Sequence, residues 1–236
     1  MLWYKSWLET RLRLVIALGY LGTLLLFLAL RGTVPPGLWP MAAKPSVGLP
    51  LMVGSFVTVM CTLFAGAGIA SQGSFQFLKG LHGSTQFTLS LPVTRLRLMA
   101  VRVALGWAEM TVVFAVLCLG VWVMAPYMRN GATPVEMIEY CTTLAVCAAA
   151  PYSLSVGLAT FLDDQWRAWA TMIACAAMWG MPYLTPVPAV VDIYRAFGAG
   201  SPLSAHTVPW PTMAFSMGSA GVLFLAAFKI AKDREY

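Results

Sequence analysis

Six stretches of this chain are apolar for about the ~20 residues a helix needs to cross a bilayer. They run over residues 14–30, 49–70, 98–125, 135–162, 168–191 and 211–230 of a 236-residue sequence. Composition follows from them: 59% of residues are hydrophobic, 10% are charged and the mean hydropathy is +0.76. An ordinary soluble domain carries about 25% charge. A water-soluble body of this size could not bury so much apolar surface, which excludes a soluble enzyme, a disordered chain and a nucleic-acid binder. The five cysteines, Cys61, Cys118, Cys141, Cys147 and Cys175, lie mostly inside the apolar runs without CxxC spacing. They read as small hydrophobes and give neither a metal motif nor a disulfide framework.

Lys and Arg placement orients such spans, because cytoplasmic loops collect them. With the N-terminus inside, the inner face holds Lys5, Arg11, Arg13, Lys79, Arg95, Arg97, Arg102, Arg167, Lys229, Lys232 and Arg234. The outer face holds only Arg31, Lys44, Arg129 and Arg195. The fold expected is therefore all-α and polytopic, one transmembrane domain of six helices over residues 1–236 with both termini cytoplasmic. Trp3, Trp7, Trp122, Trp166, Trp169 and Trp210 fall near span ends, as an interfacial belt requires. Pro182, Pro186 and Pro188 in the fifth stretch set a break near Pro182 and an irregular outer finish.

Residues 1–13 carry an amphipathic pattern. Tyr4, Leu8 and Leu12 recur every four residues, and Lys5, Glu9 and Arg13 form an opposing stripe of alternating sign. This reads either as an interfacial elbow helix that turns into the first span, or as a plain helix start with inner-face charge. The first apolar run is too long for a cleavable signal and no small-residue cleavage site follows it.

The longest inner segment is residues 71–98. Gly73, Gly80 and Gly83 punctuate it; Ser84 stands where a helix N-cap would be, Phe87 and Leu91 share one face, and Pro92 ends the turn. Thr94 then caps a helix that carries Arg95, Arg97 and Arg102 into the membrane interface. A short helix with exposed apolar residues has to pack on a cytoplasmic partner or on the protein's own inner mouth.

The run Gly83-Ser84-Thr85-Gln86-Phe87-Thr88-Leu89-Ser90-Leu91-Pro92-Val93-Thr94-Arg95 resembles the signature between spans two and three of the ABC-2 type permease family. The charged tail from Lys229 to Tyr236, the six spans and the amphipathic start are also similar to that family. The family has an acidic residue shortly before the Gly and another where Gln86 stands; here Leu81-His82 precede Gly83. The resemblance implies the transmembrane subunit of an ATP-binding-cassette exporter in a bacterial-type inner membrane. Two such subunits, identical or different, form the pathway. A separate ATPase subunit binds ATP and Mg, and docks on a coupling helix around Ser84 to Leu91. Phe87 and Leu91 would be its buried contacts, with Pro92 closing the turn. Arg95 and Arg97 would meet either acidic groups of that partner or anionic lipid. The chain itself carries no G-x-x-x-x-G-K-[ST] phosphate loop and is not expected to be an enzyme or to hold a cofactor.

Other polar groups stay open between two readings. Glu109 lies seven residues past Arg102, roughly 10 Å deeper along the third span. It serves either the pathway or subunit interface, or a structural hydrogen bond. Asp163, Asp164 and Arg167 form a tight second inner loop, which is a secondary partner contact or a solvated helix cap. Glu136 and Glu139 belong to the outer surface, and His82 and His206 are too far apart for a metal or nucleophile pair. The outer segment 192–210 is either an ordinary loop or re-entrant, with a short helix over 190–197 and a turn at 198–202. Ala148-Ala149-Ala150 suits close helix packing. Two other classes fit the same composition: a non-transporting membrane assembly or immunity factor, and a small secondary carrier. A carrier should gather paired ionisable or helix-breaking groups at the midplane.

Overall fold

A computed structural model describes residues 2–31, 45–65, 94–124, 132–162 and 164–233. Among these residues the regular structure is entirely helical. The order is α1 (Leu2–Arg31), α2 (Pro45–Phe64), α3 (Arg95–Met124), α4 (Pro134–Cys147), α5 (Ala149–Leu158), α6 (Asp164–Leu184), α7 (Ile193–Phe197), α8 (Pro202–Ala205) and α9 (Trp210–Asp233). Three helical stretches are long and apolar enough to cross a membrane: Leu96–Met124, Pro134–Leu158 and Trp210–Asp233. Helices of 30, 20 and 21 residues, α1, α2 and α6, occupy the other three stretches where spans were expected. The charges of α1 (Lys5, Glu9, Arg11 and Arg13) precede the apolar stretch 14–30, and those of α6 (Asp164 and Arg167) stand in its first turn.

The elbow expected over residues 1–13 is not a separate helix. Α1 runs unbroken through Arg13, because Glu9 to Leu14 contains neither Pro nor Gly. Its 30 residues measure about 45 Å at ~1.5 Å each, half as long again as a ~30 Å hydrocarbon core. Ala17, Leu21 and Leu25, one turn apart, are buried against α3, while Val15, Ile16 and Leu26 point outward. At Gly120 of α3 the absent side chain admits Leu25.

The core lies where α2 meets α3 and α5. Phe56, Val57, Met60 and Phe64 from α2 pack with Met110, Val113 and Phe114 from α3 and with Tyr152 and Val156 from α5. Phe56 stands between Tyr20 (ring centroids 5.9 Å) and Phe114 (6.1 Å). Thr94 caps α3 as expected, its hydroxyl oxygen accepting from the Arg97 N–H at 3.3 Å. Α4 begins at a full capping box. Thr133 Oγ1 accepts from the Glu136 N–H, and Glu136 Oε2 accepts from the Thr133 N–H at 2.6 Å, with Pro134 at the first helical position. The other Glu136 oxygen meets His206 Nδ1 at 2.7 Å and ties this cap to the segment after α8.

Two helices are apolar outward and polar inward. On α6, Arg167, Thr171 and Cys175 recur every four residues and are buried, whereas Trp166, Trp169 and Ile173 are exposed. On α9, Thr212, Ser216 and Ala220 are buried while Phe215, Val222 and Leu225 face out. Water favours the opposite arrangement.

Α6 carries Pro182 within its last turn and stops at Leu184, two residues beyond the expected break. A proline so near the end frees only the Met178 carbonyl, and the Thr185 N–H closes the turn on the Met181 carbonyl at 2.9 Å. The short helix expected within 190–197 is α7, capped by Asp192, whose side chain accepts from the Arg195 N–H at 3.0 Å. Ile193, Tyr194, Ala196 and Phe197 are buried against α2 and α4. The Tyr194 ring sits where Gly54 has no side chain, and the Tyr140 hydroxyl donates to the Phe197 carbonyl at 3.1 Å.

Candidate functional site: a polar junction at the end of α2

Α2 ends at Phe64, and the N–H of the next residue, Ala65, still bonds the Cys61 carbonyl. The terminal carbonyls of a helix lack internal partners and carry partial negative charge. Arg167, three residues into α6, supplies the complement: its Nη1 donates to the Ala65 carbonyl. The same nitrogen donates to Ser155 Oγ of α5 at 3.2 Å, and Thr171 Oγ1 donates to that oxygen at 3.0 Å. Arg167 is only 4% exposed, and Ser155 and Thr171 are fully buried. Helical spacing assembles the group, since Arg167 and Thr171 are one turn apart on α6. One guanidinium therefore joins three helices.

Tyr152, one turn before Ser155, extends the junction to α3. Its hydroxyl donates to the Val103 carbonyl at 2.7 Å, and its ring meets Trp107 edge-on at 5.1 Å and Phe224 of α9 at 6.3 Å. Gly106 makes the crossing possible: a Cβ there would lie 2.5 Å from the Phe64 carbonyl oxygen and 2.7 Å from the Tyr152 hydroxyl. Glu109 and Arg167 both lie within electrostatic reach of Tyr152. Glu109 is 4% exposed and Arg102, on the same face of α3 two turns earlier, is 8% exposed. Ionisable groups so placed cost several kcal/mol unless their surroundings compensate.

A second polar feature interrupts the fourth expected span. Pro151 has no N–H to give the Cys147 carbonyl, so the helix divides into α4 and α5 at Ala148. Ser216 of α9 fills the break. Its hydroxyl is shared between the Cys147 carbonyl (2.9 Å) and the Val146 carbonyl (3.1 Å), and its oxygen accepts from the Ala150 N–H at 3.2 Å. The triple alanine at 148–150 is buried here.

Of the residues singled out in the sequence, Ser84, Phe87, Leu91, Pro92 and Asp163 lie outside the described residues. Arg95 and Asp164 open α3 and α6, and Arg97 is exposed near the start of α3. Arg167 and Glu109 are the two that the fold brings into one neighbourhood, inside the bundle. Sequence reasoning passed over Tyr152, Ser155, Thr171 and Ser216. Pro151 inside an apolar run was the available signal for Ser216; nothing local marks Ser155 as the partner of Arg167. Compared with family models, curated proteins and solved structures, the chain matches none.

Proposed function

We propose that this chain is the permease subunit of an ABC-2 type transporter, an exporter by its resemblance, in a bacterial-type inner membrane. In this reading α1, α2, α3, α4 with α5, α6 and α9 are the six crossings, and both termini are cytoplasmic. Residues 71–98 form the coupling segment, with Ser84, Phe87, Leu91 and Pro92 in the helix that seats on a separate ATPase, and Arg95 and Arg97 beside it. Asp163 belongs to the second inner loop, and Asp164 and Arg167 stand beside it in the first turn of α6. ATP and Mg are bound by the partner, and a second permease subunit completes the pathway.

The observation that carries the reading is the polar junction. The coupling segment follows α2 in sequence, and Arg167 binds the Ala65 carbonyl at the end of α2 to α5 and α6. A displacement applied to the end of α2 by a closing ATPase pair would reach three helices through one side chain. Alternating access then requires only two packings of the bundle that differ by a few kcal/mol. Glu109 would face the interior of this bundle, near its moving joint, and the segment 192–210 would cap the outer end.

Co-purification tests the proposal. An ATPase chain bearing a phosphate loop should accompany the tagged protein from gently solubilised membranes. Phe87→Asp and Leu91→Asp should abolish that association while the variant still inserts at normal yield. A protein that purifies without any ATPase, or whose complex survives both substitutions, refutes the coupling role and favours the assembly-factor reading.

A further inference from the structure

Between α3 and α4 a groove of about 360 Å³ runs along the outward side of the bundle. Leu119 borders it on α3; Pro134, Ile138 and Thr142, each four residues from the next, border it on α4. These four are exposed, Leu119 at 63% and Ile138 at 67%. The floor lies deeper: Cys118 and Met137 are buried and Cys141 is half-buried. From Pro134 to Thr142 the groove follows α4 for about 12 Å, which leaves it a cross-section of about 30 Å². Thr142 brings a hydroxyl to the wall, and that hydroxyl donates to the Ile138 carbonyl of its own helix at 2.9 Å. The groove therefore offers an occupant packing surface rather than hydrogen bonds.

We propose that this groove is the seat of one acyl chain of a bilayer phospholipid. Its walls belong to Leu96–Met124 and Pro134–Leu158, two of the helical stretches long and apolar enough to cross a membrane. A groove on the outward side of such helices opens into hydrocarbon, where acyl chains lie. Water does not fill it, because an ordered water needs two to four polar partners. A second helix, ~10 Å across with its side chains, is too wide to enter. An extended chain fits, and the groove runs along the helices, as lipid chains do. The attraction is dispersion, since lipid tails are as apolar as leucine and gain nothing by leaving their neighbours. An empty groove leaves Cys118, Met137 and Cys141 without partner atoms on one side, and a chain between the two ridges supplies them. On the exposed Val222 and Leu225 of α9 a chain meets one wall; here it meets a floor and two sides. The groove begins at Pro134, the first residue of α4, so the chain enters from the membrane surface at that end of the pair. The proposal rests on α3 and α4 crossing a bilayer and not on the permease reading.

A phospholipid with a photoreactive diazirine midway along one acyl chain is the probe. The full chain is reconstituted into phosphatidylethanolamine–phosphatidylglycerol vesicles that contain it, solubilised in detergent and washed free of bulk lipid. Only then is it irradiated, so that retained lipid alone reports, and adducts are mapped by peptide mass spectrometry. They should concentrate in residues 115–122 and 134–142 and be absent around Val222 and Leu225, which are equally exposed. Cys141→Leu fills the floor and should lose the groove adducts, whereas Cys141→Ala leaves the floor open and should keep them. Cys118→Leu fills the groove from the α3 side and should act like Cys141→Leu, which covers the case of one variant that fails to insert. No adduct after washing, adducts of equal density on α9, or groove adducts that persist in a filled variant overturn the assignment.

Discussion

Among the described glycines, Gly106 makes the closest approach to a backbone atom of another helix. In Gly106→Ala the new methyl would sit 2.5 Å from the Phe64 carbonyl oxygen and 2.7 Å from the Tyr152 hydroxyl, where ordinary contact begins at 3.4 Å. Backbone cannot rotate away, so α2 and α3 must part by about 0.9 Å at the crossing. A gap of that size forfeits a quarter to a half of each dispersion contact across it, at roughly 0.1–0.2 kcal/mol per atom pair. Phe56, Met60 and Phe64 make such contacts with Met110, Val113 and Phe114. Overpacking of this kind costs about 1–3 kcal/mol. Displacing Tyr152 from the Val103 carbonyl adds about 1 kcal/mol. Against this, alanine in a helix gains about 1 kcal/mol over glycine. The expected net loss is about 1–3 kcal/mol, or roughly 2–12 °C in Tm for a chain of this length.

The assay is thermal unfolding in detergent followed by tryptophan fluorescence. Gly221→Ala is the control, because a Cβ there meets nothing within 4 Å. It should match or exceed the parent by up to ~1 kcal/mol. Gly106→Ala combined with Tyr152→Phe should cost less than the sum of the two single changes, since one of the two clashes disappears with the hydroxyl. A Gly106→Ala protein as stable as Gly221→Ala would refute the close crossing of α2, α3 and α5.

Ser216→Ala leaves the Cys147 and Val146 carbonyls and the Ala150 N–H without their cross-helix partner, at an expected cost of about 1–2 kcal/mol. Pro151→Ala restores the N–H that Cys147 lacks, so Ser216→Ala should cost measurably less in that background; equal costs in both would break the link between proline and serine. Arg167→Gln removes the charge and the fork at the junction, and truncating a buried ionic group of this kind costs about 3–5 kcal/mol. Arg167→Lys should fall between, keeping charge but not the branched geometry. Hydrogen exchange should rise together over 60–65 and 164–171 in Arg167→Gln, and a rise in only one of them would separate α2 from α6.

Local signals survived into the structure. Thr94 is expected as a cap and is one, because a cap uses groups within four residues. The capping box Thr133-Pro134-Val135-Glu136 and the Asp192 cap are equally local but were not singled out in the sequence, and the reach of Glu136 to His206 needed the fold. The elbow failed for a related reason: amphipathicity says which face is apolar, not whether a helix bends, and α1 contains no residue that forces a bend. Long-range polar pairing was not legible. Arg167 looks like an inner-loop anchor when apolar length alone sets the spans. Its burial depends on Ser155, 12 residues away, and on the Ala65 carbonyl, 102 residues away. Ser216 meets its break across 66 residues.

The burial of Arg102 and Arg167 changes how the orientation should be argued. Both belonged to the eleven cations assigned to the inner face, yet a guanidinium enclosed by helices is neither a loop charge nor a lipid anchor. Positive-inside bias acts through residues flanking the spans during insertion, when tertiary contacts do not yet exist. Arg102 and Arg167 therefore still count in the proposed topology, although in the folded bundle both are buried and Arg167 binds the Ala65 carbonyl and Ser155. Setting both aside leaves nine inner cations against four, so the proposed orientation does not depend on them. What does depend on Arg167 is the joint. Its guanidinium satisfies the carbonyl at the C-terminal end of α2, where the helix dipole is negative. In the proposed orientation, a cation that helps to set direction during insertion is then also the one that ties the end of α2 to α5 and α6 once the helices pack.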